Sequence, residues 1–227
     1  MSERPIIFSA PMVRAILKNR KTQTRRIVKP SRKQIAEWGA DLSVCTAARV
    51  SGRGDGGDDT WLAFDHPKGG PYTAVRSPFG KGDTLWVREA WAHLPRSAYA
   101  LPKTVDPADG DMAAYYRCDF DRSGKPRWRP SIHMPRWASR ITLRVTAVRV
   151  ERLHDISEDD ARAEGVTPSE EPPTAAALMT AVGRGVVFRP HVSAFANLWN
   201  SLHGPVAWDA NPWVVAVDFK RIEAPDA

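Results

Sequence analysis

Residues 139–165 read SRITLRVTAVRVERLHDISEDDARAEG, and a change of rhythm inside them sets the class of fold. In the first half, Ile141, Leu143 and Val145 alternate with Thr142, Arg144 and Thr146. That period of two turns one face of a strand toward a core. The spacing predicts a strand from Ser139 to Leu153, with a change of phase at Ala147–Val150 of the kind a bulge makes. In the second half, Ser157 stands three residues before Asp160, close to a capping box, and Gly165 is placed to end the helix.

Working outward, a second helix is predicted over Ser193–His203, with Phe195, Leu198, Trp199 and Leu202 on one face and Gly204 closing it. The last strand is Trp213–Phe219. At the other end, Ile6-Ile7-Phe8 leads into a short helix. Ser9 is placed at its N-cap and Pro11 in its first turn, and Asn19 stands where a left-handed residue would stop it. Arg20–Arg26 reads as a turn feeding a strand. Thr84–Ala92 reads as a strand and 113–118 as a short one, while Ser131–Ala138 is irregular. Residues 31–80 show little periodicity and are expected to hold one hairpin and a flexible Gly- and Asp-rich tip at 51–59. Residues 95–111 read as a Pro-rich loop and 166–190 as a further insertion. The expectation is one α+β domain over 1–227, a small mixed β-barrel with flanking helices and inserted loops at 31–80, 95–111 and 166–190.

Composition narrows the function classes. The chain has 227 residues, 42% of them hydrophobic, enough for a packed core. No apolar run is long enough to span a bilayer, and the polar start Met-Ser-Glu-Arg-Pro lacks a secretory stretch, so the cytosol is the expected compartment. Cys45 and Cys118 have no metal spacing, and the six histidines form no HxxxH or HExxH pair. The sequence calls for no metal and no cofactor. There is no GxGxxG and no phosphate loop. The net charge of +7 is carried mostly by arginine, which permits nucleic-acid or nucleotide partners and equally suits a protein from an arginine-rich genome.

One short run carries more. Asn19-Arg20-Lys21-Thr22-Gln23-Thr24-Arg25-Arg26 resembles the ASCH signature, Gly-x-Lys followed by four residues and Arg, with Asn in the Gly position. Asn is the non-glycine residue that best tolerates positive φ. ASCH domains have a PUA-like β-barrel, a fold linked to RNA binding and modification. Within the family, the chain is similar to small bacterial N4-acetylcytidine amidohydrolases. Further likenesses to them lie at Gly82-Asp83-Thr84-Leu85-Trp86-Val87, Glu164-Gly165-Val166-Thr167 and Val217-Asp218-Phe219-Lys220. The resemblance implies a catalytic triad of Lys21, Thr24 and Glu164. The chain also looks like larger phage-associated ASCH proteins often labelled morphogenetic. The insertions have no counterpart in the small enzymes.

Removing an acyl group from the N4 of cytidine needs a nucleophile, a donor for the developing oxyanion and a proton for the leaving nitrogen. Thr24 is the candidate nucleophile. Lys21 is its base if burial or the neighbouring Arg20, Arg25 and Arg26 lower its pKa, or a charged oxyanion donor otherwise. Glu164 ends its helix, where the dipole disfavours a carboxylate, which suits a proton donor. The plainer alternative makes Lys21 and Thr24 surface residues of a basic turn and Glu164 a solvated helix end.

Arg26 joins a substrate-binding set with Arg88, Glu89, His133 and Trp137. Arg88 and Glu89 lie between Trp86 and Trp91, where an Arg–Glu pair and a ring can hold a base. The alternative there is a surface ion pair beside core tryptophans. Glu89 also rivals Glu164 as the acid. Trp208, Asn211 and Trp213 are further candidates for a pocket rim. The expected partner is a small nucleoside, with acyl groups bulkier than acetyl accepted, weak RNA binding, no membrane, and the oligomeric state open. An RNA-binding or RNA-cleaving module and a phage assembly protein without a small-molecule site are the other two classes.

Overall fold

The computed structural model describes residues 2–30, 42, 45, 47–51, 60–65, 73–168 and 189–222. The expected readings of 52–59 and 169–188 lie outside these residues. In chain order the elements are β1 (Glu3–Ile7), α1 (Ala10–Leu17), β2 (Gln23–Ile27), β3 (Ala47–Ser51), β4 (Trp61–Asp65), β5 (Thr73–Arg76), β6 (Thr84–Arg88), β7 (Trp91–Pro95), β8 (Thr104–Asp106), β9 (Asp109–Tyr116), β10 (Thr142–Arg152), α2 (Glu158–Ala163), α3 (Pro190–His203) and β11 (Trp213–Ile222). The class is α+β, as the rhythm of 139–165 predicts. The described strands form one five-stranded and two three-stranded sheets. They do not close into a barrel, because β3–β5 and β7–β9 pair among themselves and add no staves to the main sheet.

The chain folds into two compact units, one of Met1–Asn19, Phe79–Ala147 and Asp218–Ala227, the other of Arg20–Pro78 and Val148–Val217.

In the first unit β6 is flanked by β1 and β10. β1 runs parallel to it, with Glu3 opposite Thr84 and Ile7 opposite Arg88. β10 runs antiparallel, with Thr142 opposite Trp86. Thr142 is buried although the alternation turned it outward, so the start of β10 is covered on both faces. Helix α1 begins after Ser9, whose carbonyl accepts the Val13 N–H, and it buries Val13, Ala15 and Ile16. The Ser9 side chain makes no cap bond. Asn19 takes φ 55°, the left-handed stop expected of it. Residues 95–111 are more ordered than their prolines suggested. β8 and β9 pair as a hairpin there, and β9 pairs with β7, Trp91 opposite Tyr116. Trp91, Ala114, Tyr116, Met134 and Ala138 pack beneath this sheet with Trp137 against them. Burial of Met134 there stabilises the fold by about 1.5–3 kcal/mol.

In the second unit, β10, β11 and β2 lie in that order. Residues 47–76 hold an antiparallel meander of three strands, β3-β4-β5, rather than one hairpin. Alternation there is hidden because Leu62, Ala63 and Phe64 are all buried. Helix α2 has the capping box read from the sequence: the Asp160 N–H donates to Ser157 Oγ at 3.0 Å, and the Ser157 N–H to Asp160 Oδ2 at 3.3 Å. Gly165 follows with φ 82°. The α2 residue Glu158 accepts the first free N–H groups of α3, those of His191 at 2.7 Å and Val192 at 3.2 Å. Helix α3 buries Val192, Phe195 and Trp199 against Leu153, Ile156, Ala161 and Val214. Leu202, expected on that face, is 51% exposed, because the last turn of α3 runs past this cluster. The proposed rim is core and cap. Trp213 is buried edge-on to Phe64, Trp208 packs on Phe195 and His154, and the Asn211 side chain accepts the His154 N–H. No helix among the described residues is long and apolar enough to cross a membrane.

Candidate active site

Lys21, Thr24, Arg26 and Glu164 all belong to the second unit. Lys21 precedes β2, and its backbone bridges to Glu164 just past α2. The Thr22 N–H donates to the Ala163 carbonyl at 2.8 Å, which brings the two segments side by side. The Lys21 ammonium donates to Glu164 Oε2 at 2.7 Å and to the Glu164 carbonyl at 2.9 Å. The two side chains are 0% and 3% exposed. The surface-turn alternative therefore fails for Lys21, and the solvated-helix-end alternative fails for Glu164. Thr24 is buried on β2, three residues beyond Lys21.

Strand alternation turns Gln23 and Arg25 toward α2, while Lys21, just ahead of the strand, reaches Glu164 past the helix end. Gln23 Nε2 donates to Asp160 Oδ1 at 2.9 Å. Arg25 donates to Glu151 Oε1 from Nε at 3.0 Å and from Nη2 at 2.6 Å, and from Nη1 to Glu164 Oε1 at 3.3 Å and to Gln23 Oε1. Arg149 of β10 backs both acids, at 2.9 Å from Asp160 and 3.4 Å from Glu151. Arg25, Glu151, Asp160 and Arg149 were not picked out as members of a site. The clue was the i, i+2 pattern Lys21, Gln23, Arg25, but their partners lie over a hundred residues away.

Burial holds the Lys21 ammonium below the usual lysine range. The charge and hydrogen bond of Glu164 oppose that, and Arg26 and Arg25 add to it. Burial also lowers Arg26, against the pull of Glu164. Burial pushes the Asp160 carboxyl up, but hydrogen bonds from Gln23 and Ser157 and the charges of Arg25 and Arg149 outweigh it and hold it at about 2.

Arg88, Glu89, His133 and Trp137 belong to the first unit. Arg88, which ends β6, and Glu89, just past it, take different partners. Arg88 stacks on Trp86, its carbon Cζ 4.5 Å from the ring centre. Glu89 is buried and takes Arg140 on both oxygens, Nε at 2.9 Å and Nη2 at 3.0 Å. The Cys118 thiol donates to Glu89 at 3.0 Å, Asp119 pairs with the same guanidinium, and Arg140 lies over the Tyr116 ring. Burial works against the Arg140 charge, but the hydrogen bonds and charge of Glu89 raise it. Burial pushes the Cys118 thiol up, with Glu89 adding to it, and pushes Tyr116 up to about 12. Trp137 is half-buried edge-on to Trp91 and beside His93, and His133 is exposed. Among the described residues no group of three or more His, Cys, Asp or Glu is arranged to hold a metal ion.

No protein-family model matches the chain, and no curated protein matches it. Among solved structures, it is similar to the crystal structure of an ASCH domain from Lactobacillus crispatus JV V101. The alignment covers 98% of this chain and 81% of that one, at 12% identity and a TM-score of 0.33. An overlap that loose decides nothing about chemistry, which rests on the side chains described above.

Proposed function

We propose that this chain is an ASCH-type amidohydrolase that removes the N4-acyl group from cytidine nucleosides, giving cytidine and a carboxylate. The observation that supports it best is the buried Lys21–Glu164 pair, which joins two segments that resemble the family at its catalytic positions. A lysine whose pKa burial has lowered has more of its side chain as free amine at a given pH than a surface lysine, and the free amine is the form that can take a proton. In this reading the Thr24 hydroxyl attacks the amide carbonyl as its proton passes to the Lys21 amine. The tetrahedral oxyanion collapses, the C–N4 bond breaks, and the leaving nitrogen takes that proton by way of Lys21 and Glu164. Water then cleaves the Thr24 ester and releases the carboxylate. Arg26 interacts electrostatically with both members of the pair and suits an oxyanion or a substrate oxygen.

The test is direct. The purified protein is incubated with N4-acetylcytidine and the ultraviolet spectrum is followed for conversion to cytidine. Conversion that disappears in Lys21→Ala supports the reading, and a spectrum unchanged by the unaltered protein overturns it.

A further inference from the structure

We propose that Arg25 is a positioning residue for the Lys21–Glu164 pair: it holds the second carboxylate oxygen of Glu164 so that Lys21 can give up a proton without leaving that carboxylate unpaired. The role rests on the amidohydrolase reading of the pair. Glu164 is divided between two cations, Oε2 facing Lys21 at 2.7 Å and Oε1 facing Arg25 at 3.3 Å. The Arg25 side chain is 0% exposed. The rest of its fork is fixed by Glu151, by Gln23 and, at 3.4 Å, by Asp160.

Arginine and lysine differ in the property that matters here. The guanidinium stays charged at every working pH, and its planar fork fixes the direction of its contacts. A buried carboxylate left without a cation is strongly unfavourable. With Arg25 in place, Glu164 keeps a cationic partner in both protonation states of Lys21. Without it, Glu164 loses the hydrogen bond at Oε1 and leans more on the Lys21 ammonium, and Lys21 holds its proton more tightly. The charged groups around the pair are Arg25 and Arg26 on β2, Arg149 and Glu151 on β10, and Asp160 on α2. Arg25 Nη1 reaches the Glu164 carboxylate directly, at 3.3 Å.

The experiment follows the Lys21 Nζ titration by NMR on the full chain with isotope-labelled lysine, the signal assigned by Lys21→Arg. Arg25→Gln should raise the Lys21 midpoint by about one pH unit, the scale of a charge contact a few ångströms away. The rising limb of kcat against pH should move with it while KM stays nearly fixed. Arg25→Lys, which keeps the charge, should bring the midpoint most of the way back. Glu151→Gln frees Arg25 toward Glu164 and removes a nearby negative charge, so it should move the midpoint the other way, downward. Its side chain is 17% exposed, so this variant decides the matter if Arg25→Gln does not fold. A Lys21 midpoint unmoved in the folded variants overturns the proposal. If the midpoint moves as stated but the unaltered protein hydrolyses no N4-acylcytidine, the amidohydrolase reading fails and the coupling of Arg25 to Lys21 stands.

Discussion

Glu164 and Glu89 are both buried carboxylates, 4% and 2% exposed, and both accept charge-assisted hydrogen bonds from a cation. Their company differs. Glu164 faces a lysine whose charge burial disfavours, whereas Glu89 is gripped on both oxygens by an arginine whose charge its neighbours strengthen. An ammonium can lose its proton at accessible pH and a guanidinium cannot. The first arrangement can move a proton, and the second locks one unit of the fold together. Charge count alone does not separate them; the kind of cation does.

The sharpest way to break the comparison is turnover of N4-acetylcytidine. Lys21→Ala, Thr24→Ala and Glu164→Gln should each lower it by about a hundredfold or more, and Glu89→Gln far less. Thr24→Ser should keep measurable activity. A dead Glu89→Gln beside an active Glu164→Gln would exchange the roles of the two carboxylates. The base form of Lys21 carries the rate in this reading, so activity should rise with pH through the Lys21 midpoint and fall as the ammonium forms. Lys21→Arg cannot act as a base, and full activity in that variant would make the cation an oxyanion donor instead.

Stability gives the next contrast. Arg140→Ala leaves Glu89 charged and buried without its main partner, which should cost about 3–5 kcal/mol in denaturant unfolding. A loss near zero would mean water already reaches that pocket.

Acid sharpens the picture in the second unit. The folded pKa of Asp160, about 2, lies below its ordinary 3.8. Its contribution is fully present above pH 3.8 and is lost as pH falls toward 2. Asp160→Asn should flatten the stability profile in that window, and an unchanged acid limb would discount the network around Arg25.

How much of this the sequence could carry depends on the range of each signal. The capping box of Ser157 and Asp160, the left-handed Asn19 and the strand at Leu143–Val145 are local, and each is read from within a few residues. The middle strand of the meander, β4, was not legible, because Leu62, Ala63 and Phe64 are buried on both of its faces and its alternation is lost. Lys21 and Glu164 were named through a family likeness, but their contact was not readable from spacing. Glu89 was named with the wrong partner, Arg88, because Arg140 lies 51 residues on in the chain.

Substrate range and charge make the smallest expected differences. Across a series of N4-acylcytidines, acyl groups larger than acetyl, such as benzoyl, should still be cleaved, and strict selectivity for acetyl would remove any role for the insertions in shaping the pocket. RNA binding should be weak, with nucleoside turnover little changed by moderate salt. Tight binding that falls steeply with salt, without turnover, would move the basic surface to the centre of the function.

The bond between Lys21 and Glu164 spans 143 residues of chain. Contacts between such distant residues form only after a large loop has closed, an entropic cost that local turns and hairpins do not meet. Helix α2 has six residues, too few to persist by itself, so the end that carries Glu164 has no settled place before that closure. During refolding from denaturant, recovery of catalysis should therefore trail recovery of backbone signal, and a nascent chain should remain inactive until the segment carrying Glu164 has been made.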